Sequence, residues 1–289
     1  MPGAVLSVEA TTSTCFPGLN SDNPNPMYNN QTISFVSFAN SRYASQERIK
    51  REAEDMHFFD HIHVGDEHML EPWYFKKYTD RWPERSFGYW QWKPYIIRRV
   101  MDRMEEGDYL VYADAGCTLN PRGIPRLKEY LQMVTDSPCG VLGFDQHFRE
   151  AEWTKADLFD YFGVLGDPKY MDHGQVASGC IIIHKKPASQ RLVDEWHYIM
   201  HFHHDLATDS PSKLPNVPNF QENRHDQSVF SLLMVKYGGV ELPVEEFFTE
   251  GDWEKLKDYP IWATRKRMKK RTWQKEIKYR IKKMLFLTK

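Results

Sequence analysis

The stretch Tyr109-Leu110-Val111-Tyr112-Ala113-Asp114-Ala115-Gly116-Cys117 decides how the chain is read. Five apolar or aromatic residues run without a polar break, the pattern of a strand buried on both faces. Gly107 just upstream stops the preceding helix. The strand then delivers Asp114 into a glycine-containing turn. In an open α/β sheet that turn lies at the carboxyl edge, where such sheets bind ligands. An Asp in that place also serves as a turn residue or cap, so this segment alone leaves both uses open.

Outward from this strand the chain alternates. Upstream, the β-rich run TISFVSFA (32–39) is followed by the polar, helix-favouring segment 41–59 and a short strand DHIHVG (60–65). Helical stretches over 71–78 and 95–104 lead into the Tyr109 strand. Downstream come a helix over 122–134, a strand CGVLGF (139–144), helical 150–163, a turn feeding the strand at Ser178-Gly179-Cys180, and a helix from Pro187. A Pro-rich stretch, 207–223, is long enough for a functional lid. Helix 224–238 and strand 239–247 follow. This order predicts an α/β domain with a largely parallel central sheet over 32–250, a flexible Ser/Thr/Asn/Pro-rich leader over 1–31 and an extension over 251–289.

Composition sets bounds on this reading. With 289 residues, 41% apolar and 27% charged, the chain is neither collagen-like nor wholly disordered. Nine Trp and fifteen Tyr supply ring faces of the kind that hold sugars or bases. The four Cys (Cys15, Cys117, Cys139, Cys180) are far apart with no CxxC pair, so neither a zinc site nor a disulfide framework is signalled. Apolar runs such as Cys180–Ile183 fall far short of the roughly 18 residues a membrane span needs. The start, MPGAVLSVEATTST, has no basic residue before its apolar run and has Glu9 just after it, unlike a secretory signal. A cytoplasmic, reducing setting is the expectation, and the sequon at Asn30 is then a chance match.

Charge is unevenly spread. Residues 265–289 hold twelve Lys/Arg against the single acid Glu276, while the net charge of the whole chain is −2. Trp273, Ile277, Ile281, Met284 and Leu285 share one helical face there, so the extension predicts a basic amphipathic helix. Such a helix binds an anionic membrane surface or packs on the acidic remainder of the chain. Nucleic acid is not expected, because no motif interleaves basic and aromatic residues in an RNA-binding pattern.

Two further segments could carry chemistry. Gly179, beside Ser178, permits close approach of backbone to a ligand, or marks a bulge. Arg224-His225-Asp226-Gln227-Ser228 opens a helix, where Asp226 is either a cap or, with Gln227, a pair of polar groups pointed into a cleft.

Taken together, the order of these segments resembles the nucleotide-sugar glycosyltransferases of the GT-A fold. FVSFANS stands where that family has its first nucleotide-binding strand, YADAG resembles a variant of its D-x-D, ASGCIII its N-A-G strand, and HDQSVFS its D-Q helix. Bacterial and viral members in which FGYWQWKPYII precedes a D-A-G turn are the most similar. The resemblance implies that Phe38, Ala39 and Asn40 line the base and ribose pocket. It implies that Asp114, with Ala115 and Gly116, meets the donor diphosphate or ribose, with Asp114 holding Mn2+ or Mg2+. Ser178 and Gly179 would lie against the donor, and Lys93 would add positive charge for the phosphates. Asp226 and Gln227 would stand at the reacting centre facing the glycan acceptor, with Asp145, Asp172 and Glu222 as further carboxylates and Lys155 and Asp157 within reach of the donor sugar.

The chain also departs from the family pattern. Gly116 occupies the place of the second carboxylate, and no His follows His225 to complete a metal site. A non-catalytic nucleotide- or glycan-binding relative of the same fold is therefore one alternative. A zinc hydrolase built on His197, His201, His203 and His204 is another, although HEXXH is absent.

Overall fold

The computed structural model describes residues 31–41, 43, 45–78 and 85–266. The expected leader (apart from Gln31) and the expected amphipathic helix beyond 266 lie outside the described residues.

The strands are β1 Ile33–Phe38, β2 His61–Gly65, β3 Tyr109–Ala113, β4 Thr118–Leu119, β5 Val141–Arg149, β6 Gly174–His184, β7 Val240–Pro243 and β8 Ile261–Trp262. The helices are α1 Ser45–Asp55, α2 Pro72–Tyr78, α3 Trp92–Met101, α4 Ile124–Asp136, α5 Glu150–Trp153, α6 Ala156–Tyr161, α7 Pro168–Met171, α8 Pro187–Phe202 and α9 Asp226–Tyr237. Six strands form one sheet in the order β2-β1-β3-β6-β5-β7. Five run the same way and β6 runs against both its neighbours. This is the α/β class expected from the sequence, with one inverted strand.

The pleat explains the apolar runs. In β1 and β3, Ile33, Phe35, Tyr109, Val111 and Ala113 face one cluster with α1 and α4, and Val36, Phe38, Leu110 and Tyr112 face the other with α3, α8 and α9. Both faces are covered, so every residue of β3 is buried. Burying an apolar side chain of this size contributes about 1.5–3 kcal/mol.

Two expectations are corrected here. Ser178 and Gly179 sit inside the long strand β6, which begins at Gly174, and not in a turn that opens it. Helix α3 begins at Trp92, three residues before the expected start, because Pro94 is accommodated in a first helical turn, where its missing N–H costs nothing.

The backbone just before α3 is left-handed. Ser86, Phe87, Gly88, Tyr89 and Trp90 have φ of 52°, 64°, 80°, 52° and 58°. Only one of the five is glycine, and the others each cost about 1–2 kcal/mol in this region. Packing holds the turn: His204 Nε2 lies 3.2 Å from the Gly88 carbonyl, Tyr74 Oη donates to the Gln91 carbonyl at 3.1 Å, and Trp90 stacks on His225 at 5.6 Å between ring centroids.

The segment after β7 returns to the domain. β8 pairs with β4, and Asn120 Nδ2 donates to the carbonyls of Lys257 and Tyr259 at 2.7 and 2.9 Å. Gly123 makes this approach possible, since a Cβ there would lie 2.1 Å from Pro260 N. Gly123→Ala is expected to cost about 1–3 kcal/mol by forcing the two backbones apart, read as a lowered urea midpoint. An unchanged midpoint would contradict this packing.

Candidate active site

Strand direction and register build the site. β1 and β3 are parallel, so Phe38–Asn40 and Asp114–Gly116 leave the sheet at one edge. β6 is antiparallel to β3 with Cys180 opposite Ala113, which brings Gly179 beside Asp114; Asp114 N donates to the Gly179 carbonyl at 2.9 Å. A Cβ on Gly179 would lie 3.2 Å from Asp114 Oδ2, so the small residue lets the carboxylate rest on β6.

Lys93 is the centre of the arrangement. It projects from the first turn of α3 and is 1% exposed. Its Nζ lies 2.8 Å from Asp226 Oδ2 and 3.3 Å from Asp114 Oδ1, and donates to Ser178 Oγ at 3.1 Å and the Ser178 carbonyl at 3.2 Å. Ser178 Oγ in turn donates to Asp226 Oδ2 at 2.8 Å, and Tyr112 Oη donates to Asp114 Oδ1 at 2.7 Å. Four distant segments thus meet on one ammonium.

The electrostatics follow from burial and charge. Burial opposes the charge on Lys93, but Asp114 and Asp226 outweigh it and hold the ammonium above the ordinary lysine value. Burial pushes the Asp226 carboxyl up against the pull of Lys93, with Asp114 adding to the rise. Burial and the Asp114 charge push the Tyr112 phenol well up, so it stays a donor. The Asp114 side chain is 39% exposed and that of Asp226 only 4%. Asp114 is therefore the member of the pair that solvent and ligands reach.

The expected site residues divide accordingly. Lys93, Asp114, Ser178, Gly179 and Asp226 are brought together. Ala39 and Asn40 are half-buried at the same sheet edge, and Ala115 and Gly116 form the turn beside Asp114. Phe38 is buried against Trp92 at 4.1 Å between centroids, which makes it core and not the wall of an open pocket. Asp226 lies behind Lys93 and not at the cleft surface, so the expectation that it faces an acceptor is not met in this arrangement. Gln227 turns away from it and donates to Gln175 Oε1 at 2.7 Å. Lys155 and Asp157 do not approach the Asp114 turn: Lys155 Nζ donates to the carbonyls of Asp205, Thr208 and Ser210, and Asp157 accepts from Lys213 N and Leu214 N. Both fasten the Pro-rich loop, whose residues line a cavity of about 520 Å³ together with Lys155.

Gln175 belongs to a buried network that the sequence did not reveal. Glu150 is fully buried and accepts from Ser231 Oγ, Thr154 Oγ1 and, at 3.0 Å, Gln175 Nε2. Burial pushes its carboxyl up to about 7. A carboxyl raised in the folded state stabilises fully below its unfolded pKa, and that contribution is lost as pH rises through the folded value. Wild type is therefore expected to lose up to roughly 3 kcal/mol between pH 5 and 8 that Glu150→Gln keeps. Glu241, beside His173 at 3.3 Å and also pushed up to about 7, adds a loss of the same sign in both proteins. The difference between their urea midpoints across that range isolates Glu150, and parallel curves would contradict the assignment.

The donor set does not fit a resident Mn2+ or Mg2+ ion. Asp114 Oδ1 is taken by Lys93 and Tyr112, Asp226 by Lys93 and Ser178, and Gly116 stands where a second carboxylate would be. Among the described residues no group of three His, Cys, Asp or Glu could hold a metal. The His-rich end of α8 gives no zinc site either. His197 is pushed down to about 4 by burial, His204 faces the Gly88 carbonyl, and His203 packs on Tyr161 at 4.8 Å. Among the described residues no helix is long and apolar enough to cross a membrane.

No family model matches the chain, and no curated protein matches it. Several solved structures match the chain at low identity. A glycosyltransferase involved in the glycosylation of the major capsid of PBCV-1 matches with a TM-score of 0.47 at 11% identity, over 80% of this chain and 92% of that one. Mouse xyloside xylosyltransferase 1 in its apo form gives 0.42 at 12% identity, over 80% and 84%. The galactosyltransferase LgtC, in complex with donor and acceptor sugar analogs, gives 0.39 at 11%, over 79% and 86%. The reading of the site rests on the geometry above.

Proposed function

We propose that the chain is a GT-A-like glycosyltransferase that moves a sugar from a nucleoside diphosphate donor, a UDP-sugar, to a hydroxyl of a glycan acceptor. Surface polysaccharide or glycoprotein glycans would be the products. The observation that carries this reading is the convergence of Asp114 and Asp226 on the Lys93 ammonium at the carboxyl edge of the sheet. With Ser178 it joins three of the four segments whose order resembles the family, YADAG, ASGCIII and HDQSVFS.

In this reading the acceptor oxygen bonds to the anomeric carbon as the bond from that carbon to the diphosphate breaks. The nucleoside diphosphate leaves with the electron pair, and the acceptor hydroxyl's proton passes to a phosphate oxygen of the departing diphosphate or to water. Transition-state charge grows on the leaving diphosphate, where fixed positive groups stabilise it most. Asp114, the exposed carboxylate, binds a ribose or sugar hydroxyl. Asp226 and Ser178 act as positioning residues that fix Lys93. The basic segment 265–289 would bring the enzyme to an anionic membrane surface.

The test is a panel of UDP-, GDP- and CMP-sugars, followed by thermal shift and by release of free nucleotide with glycan acceptors. A raised melting temperature with UDP-sugars is expected, because a ligand of the folded state stabilises it by mass action. Nucleotide release should accompany it. No shift and no release with any donor would remove the reading.

A further inference from the structure

We propose that this site grips the diphosphate of its donor with fixed cations of the chain itself, Arg265 and Arg224 at the rim with Lys93 behind them, and without a resident divalent metal. The inference rests on the transferase reading and deepens it.

Three observations carry the proposal. First, the position between the two carboxylates is filled: Lys93 Nζ has four oxygens within 2.8–3.3 Å, from Asp226, Asp114 and Ser178. A buried ammonium held in this way fills the place between the carboxylates and offsets one of their two charges, so the positive charge that faces a diphosphate comes from the arginines at the rim.

Second, basic residues reach that turn from parts of the chain far apart in sequence. Arg48 Nη2 donates to the Ala115 carbonyl at 2.7 Å. The segment after β8 crosses Gly116, whose carbonyl accepts from Lys266 N at 2.8 Å and Thr264 Oγ1 at 3.1 Å. A Cβ on Gly116 would lie 3.5 Å from Arg265 Cα, so the crossing segment runs in van der Waals range of the position where the family pattern has its second carboxylate. Arg265 is exposed, with its guanidinium 5.5 Å from the centre of the Phe248 ring.

Third, Arg224 stands two residues before Asp226, its guanidinium 4.0 Å from the Trp153 ring centre. Burial lowers its pKa, Glu222 opposes this from 3.4 Å, and the charges of Arg265 and Arg85 push the same way as burial. An exposed guanidinium at Arg265, on the segment that crosses Gly116, suits a diphosphate, whose paired oxygens match the planar fork of arginine. The backbone is strained at the same places: His225 and Arg265 have φ of 59° and 53°. Residues held in this region cluster at ligand sites, where surrounding structure fixes them.

The experiment is calorimetric titration of the full chain with inorganic pyrophosphate, in EDTA and again in Mn2+. Wild type should bind pyrophosphate in EDTA within about threefold of its affinity in Mn2+. Arg265→Ala should weaken binding about tenfold, the worth of one charge-assisted contact, with its melting temperature unchanged because the side chain is exposed. Arg265→Lys should recover part of the loss, and Arg122→Ala, exposed and away from the site, should match wild type. Binding that needs Mn2+, no binding in either buffer, or an Arg265→Ala affinity equal to wild type would each overturn the proposal. Nucleotide release measured in parallel separates the two readings. Release that strictly requires Mn2+ keeps the transferase and removes the metal-free grip, whereas metal-free pyrophosphate binding without any release does the reverse.

Discussion

Lys93→Met is expected to abolish turnover and to cost about 3–5 kcal/mol of stability, because it leaves the buried Asp226 carboxylate without its counter-charge. The cost should appear as a melting temperature lower by roughly 10 °C for a chain of this size. The stability loss and the activity loss have separate causes, and a second variant shows this. In Lys93→Met with Asp226→Asn no unpaired charge remains in the core, so most of the stability should return while turnover stays absent. If the single variant kept both its melting temperature and its activity, the shared ammonium would not be the centre of the site.

Asp114→Asn should act in the opposite proportion. Its side chain is 39% exposed, and Lys93 keeps Asp226 and Ser178 as partners. Stability should therefore fall far less than in Lys93→Met, because the amide oxygen can still accept from Tyr112 and Lys93 keeps one full counter-charge. Turnover should fall on the order of 100-fold, the worth of one charged hydrogen bond to substrate. A full-rate Asp114→Asn enzyme would move the substrate carboxylate elsewhere, to Asp226 or to another acid.

Much of this site could be read from the sequence because its signals are local. An unbroken apolar strand ending in Asp-Ala-Gly announces a carboxylate at a sheet edge, and β3 provides one. The pleat gives more than was taken from it: Tyr112 and Asp114 are two apart, hence on one face, and they are hydrogen-bonded. What stayed hidden depends on direction and long-range contact. The run Ser178–His184 has the same apolar pattern in a parallel or an antiparallel strand, so the inversion of β6 could not be read from it. That inversion is what sets Gly179 against Asp114. Lys93 could be named as a cation of the site, but its burial between two carboxylates could not be read, because only the packing of α3 on the sheet turns it inward. Glu150 was passed over as part of the helical stretch 150–163, and it lies in the core. In Ser86–Trp90 only Gly88 hinted at left-handed backbone, since the strain is held by His204, Tyr74 and His225 from elsewhere in the chain. Arg265 was counted as part of a basic tail, and no local feature linked it to Gly116.

A crystal structure of the full chain with UDP tests the central claim most directly. The account predicts the two phosphates between the Asp114–Gly116 turn and the amino end of α9, within hydrogen-bond distance of Arg265, with Lys93 still bridging Asp114 and Asp226. UDP seated away from Lys93, for example in the cavity lined by loop 208–223, would contradict it.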